Sequence, residues 1–443
     1  MSDTSSSGSP PANSSGSPPA NSSGSPPASS AVPRGIRALL LANFFSTFAY
    51  LGVITFAGDQ VFAISGRELD LGLLGLAAFV PIFLLSPIAG TLVDRYDRRY
   101  IYAIAVVIEI GLSLGLFAYI RSDPTSVLPI FALVSGYGAA RSFAAPASRA
   151  MPIDLAPPEI LERVIALKSL AFQAGVIAGP VVAGFAAAAS PDLPFLIAAA
   201  LLLLVLLMLT QVTKPPIEQL DTPAGALQAF RDAIAGFRYM RSNEILVGAI
   251  SLDLFAVLLG GATALLPAIA TERLGVSEIG LGWLRAADGI GAAAVSLALA
   301  YRPIKRHIGN VLLLTVALFG VATIALGFTH TYFVAFASIV VLSAADAVSV
   351  YIRSSLVPLA TPEVMRGRII ALENVFIGGS NELGSLESGV AAQLIGLTGA
   401  IVTGGLGTIA VVAIWWRIFP ALRKVDRFDD VRLVPKASQP NGH

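Results

Sequence analysis

The sequence predicts an all-α membrane protein: twelve transmembrane helices in two six-helix, pseudo-symmetric halves. Three observations carry this. Only 13% of the 443 residues are charged and 55% are hydrophobic, with a mean hydropathy of +0.76, whereas a soluble domain carries about 25% charged residues. From Ile36 onward, apolar runs of about 20 residues, the length of a bilayer-spanning helix, alternate with short charged links. The Lys and Arg residues also fall mainly on alternate links. These features exclude a cytosolic enzyme, a coiled coil and a nucleic-acid-binding module. With 29 Lys+Arg against 28 Asp+Glu the net charge is +1, so no global field attracts polyanions. Cys is absent and the three His (His307, His330, His443) make no ligand pattern, which leaves no disulfide, thiol nucleophile or metal site.

Residues 1–33 contain the octapeptide SSGSPPAN at 6–13 and 14–21 and SSGSPPAS at 22–29. With no apolar stretch this segment buries no core and reads as a disordered tail, either a neutral tether or a partner-binding tract. It lacks the basic start and apolar stretch of a cleavable signal peptide. Spans follow near 37–57, 71–93, 100–120, 127–148, 164–189 and 193–212, which make an N-terminal half over 34–212. A link at 213–243 places Leu227, Phe230, Ile234 and Phe237 at 3-4-3 spacing, an amphipathic helix for the membrane surface. Spans near 245–270, 279–300, 310–329, 332–352, 369–395 and 399–418 make a second half over 244–420, and a tail occupies 421–443.

With both ends cytoplasmic, 23 of the 29 Lys/Arg lie in or beside the inner links and tails. Arg67, Arg121 and Arg273 lie outside, and Arg141, Lys168 and Arg285 fall within spans. This asymmetry supports an even number of spans. The halves also resemble each other. Arg149 precedes Pro158 by nine residues, as Arg353 precedes Pro362. Leu155–Glu159 matches Leu359–Glu363, and Val164–Leu167 matches Ile369–Leu372. Parallel repeats suit alternating access to a site between the halves.

The link after the second span reads Gly90-Thr91-Leu92-Val93-Asp94-Arg95-Tyr96-Asp97-Arg98-Arg99. Gly90 permits close helix approach, and Asp94 can pair with Arg95, Arg98 or Arg99 or cap a helix; a plain positive-inside anchor is the alternative. The segment resembles the G-x-x-x-D-R-x-G-R-R signature of the major facilitator superfamily, with Asp97 where the family has Gly. The resemblance implies that this cluster latches an inner gate. In the fifth span, Gly175, Gly179, Pro180 and Gly184 allow tight packing and a kink. They resemble the G-x-x-x-G-P motif of the superfamily's exporting members. Gly136–Ala140 is similar to the end of a fourth-span motif, but Leu133 stands where that motif has Arg. The run from Phe143, the doubled Pro-Glu links and the stretches 251–267 and 349–389 resemble the bacterial enterobactin-exporter and macrolide-efflux branch. That resemblance implies export of a small amphipathic organic molecule, siderophore-like or a drug, by proton antiport, with no cofactor beyond the proton gradient. The alternatives are a proton-coupled importer and a non-transporting receptor or scaffold. The expected setting is a bacterial inner membrane, with the chain a monomer in the lipid bilayer and a small-molecule substrate.

Charges inside spans face a cavity or a partner because hydrocarbon penalises them. Asp253 in the seventh span and Asp346 in the tenth are the first candidates for proton coupling, and Glu382 in the eleventh is another. The alternative is a structural ion pair such as Asp346 with Arg353. Arg285 and Asp288 are spaced to satisfy each other, and Glu109 is expected to pack inward against a polar neighbour. Asn43, Thr47 and Tyr50 share a face at i, i+4, i+7 and, with Arg141, are candidates to line a cavity; interhelical hydrogen bonding is the alternative. Trp283, Trp415 and Trp416 read as interface anchors.

Overall fold

A computed structural model describes residues 32–212 and 226–431. Nearly all of the repeat tail, the first part of the central link and the end of the C-terminal tail lie outside the described residues. So do the side chains of Asp94, Leu227 and Phe230. The described residues contain helices and no strands.

Six helices come first: α1 (Arg34–Ser65), α2 (Glu68–Arg95), α3 (Arg98–Ile120), α4 (Leu128–Asp154), α5 (Leu161–Ala189) and α6 (Leu193–Leu209). The link helix α7 (Ala226–Ser242) follows. Next, α8 (Glu244–Leu259) continues through a 3-10 turn at Ala262–Leu265, the short α9 (Leu266–Ala268) and a π turn at Ile269–Arg273. The chain ends with α10 (Glu278–Tyr301), α11 (Ile308–Phe328), α12 (Tyr332–Leu359), α13 (Glu363–Ile418) and α14 (Pro420–Arg423).

Local sequence sets the helix boundaries. Asp97 caps α3 by accepting a hydrogen bond from the Arg99 amide at 3.0 Å. Asn243 caps α8, accepting from Ile245 and Leu246 at 3.0 and 3.3 Å. Thus Asp97, standing where the superfamily has Gly, has a structural role of its own.

Among the described residues, nine helices are long and apolar enough to cross a membrane. The apolar α6 is shorter, at 17 residues. The 56-residue α13 would measure about 84 Å if straight, more than twice a hydrocarbon core of about 30 Å. It is not straight. Gly396, at φ 77° and ψ 161°, adopts a backbone geometry open essentially to Gly alone. Gly384 and Gly404, on either side of it, pack on the same end of α8, at Leu258 and Leu259. The chain therefore folds back at Gly396, between the two apolar runs read from the sequence.

Neighbouring helices fall in two sequences of contact: α5–α1–α6–α3–α4–α2, and α10–α12–α11–α13–α8. The two arrays meet where α5 packs on α10 and α2 on α13. Large apolar side chains such as Leu128, Leu314 and Phe333 stay exposed on the exterior. The helices satisfy their own backbone groups, so a hydrocarbon solvent suits that surface.

Candidate functional site

A cavity of about 190 Å³ lies where the two arrays meet. Its wall is mostly apolar, from α1, α2, the turn after α8, α9, α10 and α13, with Tyr50, Thr55, Arg285 and Glu382 among its polar groups. Glu382 reaches it across Gly75, where a Cβ would stand 2.6 Å from the carboxylate Oε2. Arg285 donates to the Thr263 carbonyl at 2.9 Å, so it turns to the cavity wall and not to Asp288 as its spacing suggested. Asp288 instead offers its backbone carbonyl to the Ser343 hydroxyl at 2.5 Å.

The shared face of α1 splits. Tyr50 lines the cavity. Asn43 donates to the Lys168 carbonyl at 3.5 Å and Thr47 is buried beneath Gly175, so both bind α1 to α5. Arg141 sits behind the wall: its guanidinium lies 4.6 Å from the Tyr50 ring centroid and donates to the Ser46 hydroxyl at 2.8 Å.

One end of the cavity, beside the α1–α2 turn, is sealed by two seams. On α5, a Cβ at Gly184 would stand 2.7 Å from the Glu278 carbonyl oxygen of α10 and 3.3 Å from the Gly282 Cα. On α13, a Cβ at Gly389 would stand 2.9 Å from the Glu68 carbonyl oxygen of α2 and 3.3 Å from the Gly72 Cα. Gly175 and Gly179 face α1 instead, with Phe44 and Phe48 carbonyl oxygens at 2.9 and 2.6 Å from their Cβ positions. The fifth-span motif therefore wedges α5 between α1 and α10. Towards the other end no comparable seam forms at Gly90 or Gly367, where a Cβ would meet nothing within 4 Å. The close approach expected at Gly90 is absent here.

The Arg-rich turn binds elements of the first array to each other. Arg98 forms an ion pair with Asp154 at the end of α4. Arg99 pairs with Asp97 at 2.9 Å and donates to the Val212 carbonyl after α6 at 2.9 Å. Arg95 is exposed.

Asp253 is not solitary. The Arg353 guanidinium of α12 lies 2.7 Å from Asp253 of α8 and 3.6 Å from Glu373 of α13, with side-chain exposures of 3%, 6% and 10%. Three helices are thereby joined by one buried cation. The pairing suggested for Asp346 with Arg353 gives way to Asp253, which reaches the guanidinium from the facing helix. Asp346 faces a void of about 10 Å³, room for one water, beside Asp253, Ser349 and Phe319. Trp415 donates to the Ser251 hydroxyl at 3.1 Å and packs on Phe255, so it is a packing residue as well as a span-end aromatic.

Several site residues were missed by motif reading although the repeat signals them. Gly384 and Gly389 lie at the same offset from Gly179 and Gly184 that relates Ile369–Leu372 to Val164–Leu167. Their packing matches too: Gly384 abuts the Val257 carbonyl of α8 as Gly179 abuts that of Phe48 of α1. Glu373, which the sequence already suggests as one of a gate or anchor pair with Lys168 or Arg368, is the repeat mate of Lys168 and pairs instead with Arg353.

A family profile described as a transmembrane secretion effector matches residues 33–440. The enterobactin exporter EntS of Shigella flexneri is 27% identical over 376 residues, covering 83% of this chain and 85% of that one. An uncharacterized MFS-type transporter, YfiS of Bacillus subtilis (strain 168), is 23% identical over 267 residues, 58% of this chain and 62% of its own. A solved structure of the nucleoside transporter NupG superposes with a TM-score of 0.71 at 14% identity, covering 87% of this chain and all of that one; this likeness shows the fold. The chain belongs to the transmembrane secretion effector family of the major facilitator superfamily. It is a multi-pass membrane transporter of the efflux branch and not an enzyme.

Proposed function

We propose that this family member exports a small amphipathic organic molecule, siderophore-like or a drug, by proton antiport with alternating access. In this reading α1–α6 form one six-helix half, and α8 to α13, counted as two spans about Gly396, form the other. Both termini lie on the cytoplasmic side of a bacterial inner membrane, and α7 lies along that surface. The chain acts as a monomer and needs no cofactor beyond the proton gradient. The sealed α1–α2 end is then external, and the described arrangement faces inward. One observation carries the reading: tight glycine seams close the α1–α2 end of the junction, whereas no such contact forms at Gly90 or Gly367. An apolar wall with Tyr50, Arg285 and Glu382 suits a ligand with an aromatic body and a few polar groups. Asp253, buried, and Asp346 and Glu382, half-buried, supply carboxyls for proton exchange. Asp94 and Arg95 help close the inner end in the opposite state. The enterobactin-exporting relative supports the direction and the class of cargo.

Proteoliposomes holding the full chain test this. With an imposed pH gradient, enterobactin or a fluorescent amphipathic aromatic should move against a counterflow of protons read by an internal pH dye. Asp346→Asn and Glu382→Gln should each weaken the coupling. If neither probe moves, and both variants behave like the parent, the antiport reading is wrong. Asp94→Asn should change cysteine accessibility from the inner side; an unchanged pattern removes it from the gate.

A further inference from the structure

Both carboxyl oxygens of Glu109, in the first array, are buried and lack a hydrogen-bond partner among the described residues; nearby, the buried hydroxyls of Tyr102 and Tyr137 have Ser46 and Ser113 as polar neighbours of their own. Glu109 and Tyr137 are fully buried and Tyr102 is 1% exposed. Tyr102 and Ser113 share α3 with Glu109; Tyr137 and Arg141 face it from α4, and Tyr50 and Ser46 from α1. The other packed neighbour, α6, carries no titratable residue between Leu193 and Leu209. Arg141 is thus the one cation of the group, and its guanidinium is engaged elsewhere, on Ser46 and over the Tyr50 ring.

A carboxylate cannot remain ionised where neither oxygen accepts a hydrogen bond and the adjacent cation is committed to other partners. We propose that Glu109 is a proton-carrying site of the transporter, set behind the cavity wall and switched by Arg141. In the described arrangement Glu109 holds its proton as a neutral carboxylic acid. Tyr50 is the link to cargo, because its ring both lines the cavity and holds the guanidinium. A ligand stacking on Tyr50 displaces Arg141 toward Glu109. The carboxylic O–H bond then breaks, the proton leaves past the Tyr137 hydroxyl toward the cavity, and the carboxylate pairs with Arg141. Tyr137 suits that path, since its ring lies 6.1 Å from that of Tyr50. Proton and cargo therefore exclude each other through one arginine. The coupling step rests on the antiport reading; the proton site does not.

Infrared difference spectroscopy of the reconstituted full chain across a pH step tests this without transport. One component of the protonated-carboxyl band should vanish in Glu109→Gln and survive in Asp346→Asn and Glu382→Gln. Proton uptake read by an indicator dye should fall by about one per chain in Glu109→Gln. Arg141→Gln should move the pH at which that component disappears. A band unchanged in Glu109→Gln overturns the proposal. If that variant does not fold, carbon-13 glutamate in a Glu373→Gln/Glu382→Gln chain asks the same question, and an unshifted band overturns it. A chain with the Glu109 band that fails to export refutes the export reading alone; an exporting chain without the band refutes this site alone.

Discussion

Replacing Gly184 or Gly389 by alanine puts a methyl group into a seam that has no room for it. The new carbon at position 184 would sit 2.7 Å from the Glu278 carbonyl oxygen, and that at 389 would sit 2.9 Å from the Glu68 carbonyl oxygen. Favourable contact needs about 3.5–4.0 Å between carbon atoms, and the obstacle is backbone, which cannot rotate away. Overpacking of this kind costs about 1–3 kcal/mol. The cost falls only on the state in which the seam is closed, because separated helices leave the methyl free. Each substitution should thus shift the population toward an open α1–α2 end by about 5- to 150-fold. Cysteine labelling reads this directly, since the chain contains no Cys. Thr55→Cys places a probe in the cavity wall. Its reaction with a membrane-impermeant maleimide from the α1–α2 side should accelerate in both variants, and more in the double variant. Gly111→Ala is the control, because a Cβ there meets nothing within 4 Å. Parent-like labelling in folded Gly184→Ala and Gly389→Ala protein would refute the seams as the closure.

Arg353→Met should lower Tm sharply, because it strands Asp253 and Glu373 and breaking a buried ion pair costs about 3–5 kcal/mol. Adding Asp253→Leu should restore part of the loss, and a parent-like Tm in the single variant would show that the triad contributes nothing. At the α5–α6 turn, the Ser190 hydroxyl first, then the Asp192 backbone amide and Arg121, hold the Asp192 carboxyl below its ordinary range against the opposing effect of burial. Its stabilisation is therefore present above the unfolded value of about 3.9 and disappears as pH falls through the lower folded value. Parent protein should lose stability more steeply than Asp192→Asn in that acid window, and parallel unfolding curves would refute the account. Asp97→Ala should cost about 1 kcal/mol through the lost cap of α3, and Asp97→Gly less. Equal losses in thermal unfolding would argue against the cap.

The all-helical membrane character was legible because a bilayer imposes length and apolarity on each helix separately, and both can be counted along one chain, although nine and not twelve helices among the described residues meet that measure. The break read between the last two apolar runs coincides with Gly396 for the same reason: the backbone turn there excludes other residues. Partners of the buried charges were less legible. Asp346 and Arg353 are seven apart on α12, which brings them to one face, yet the guanidinium chooses Asp253 across the helix interface. Spacing along one helix fixes azimuth, but depth and the facing helix decide the pair. The α1 stripe shows the same limit. Asn43, Thr47 and Tyr50 share a face, but Gly175 brings α5 over Thr47, and only Tyr50 reaches the cavity. Glu109 was expected to find a polar neighbour; its neighbours are polar, and neither oxygen is hydrogen-bonded.

The repeat separates what packing requires from what chemistry requires. Gly179 and Gly384 pack on carbonyls of α1 and α8, and Gly184 and Gly389 on α10 and α2, so the small residues recur with their contacts. The charges recur in position, with the sign kept at Arg149 and Arg353 but inverted at Lys168 and Glu373. Lys168 donates to the Arg149 carbonyl at 2.8 Å, whereas its mate Glu373 approaches the guanidinium of Arg353, the mate of Arg149. The same geometry holds a cation on a backbone oxygen in one array and a carboxylate on a cation in the other. Symmetric seams let the arrays close against each other in an equivalent way. An asymmetric charge set cannot arise from the demands of closure, because closure is met equally on both sides. In the proposed export cycle, the acids Asp253, Asp346, Glu373 and Glu382 in one array, and Glu109 with Arg141 in the other, are therefore the places to look for division of labour between the arrays.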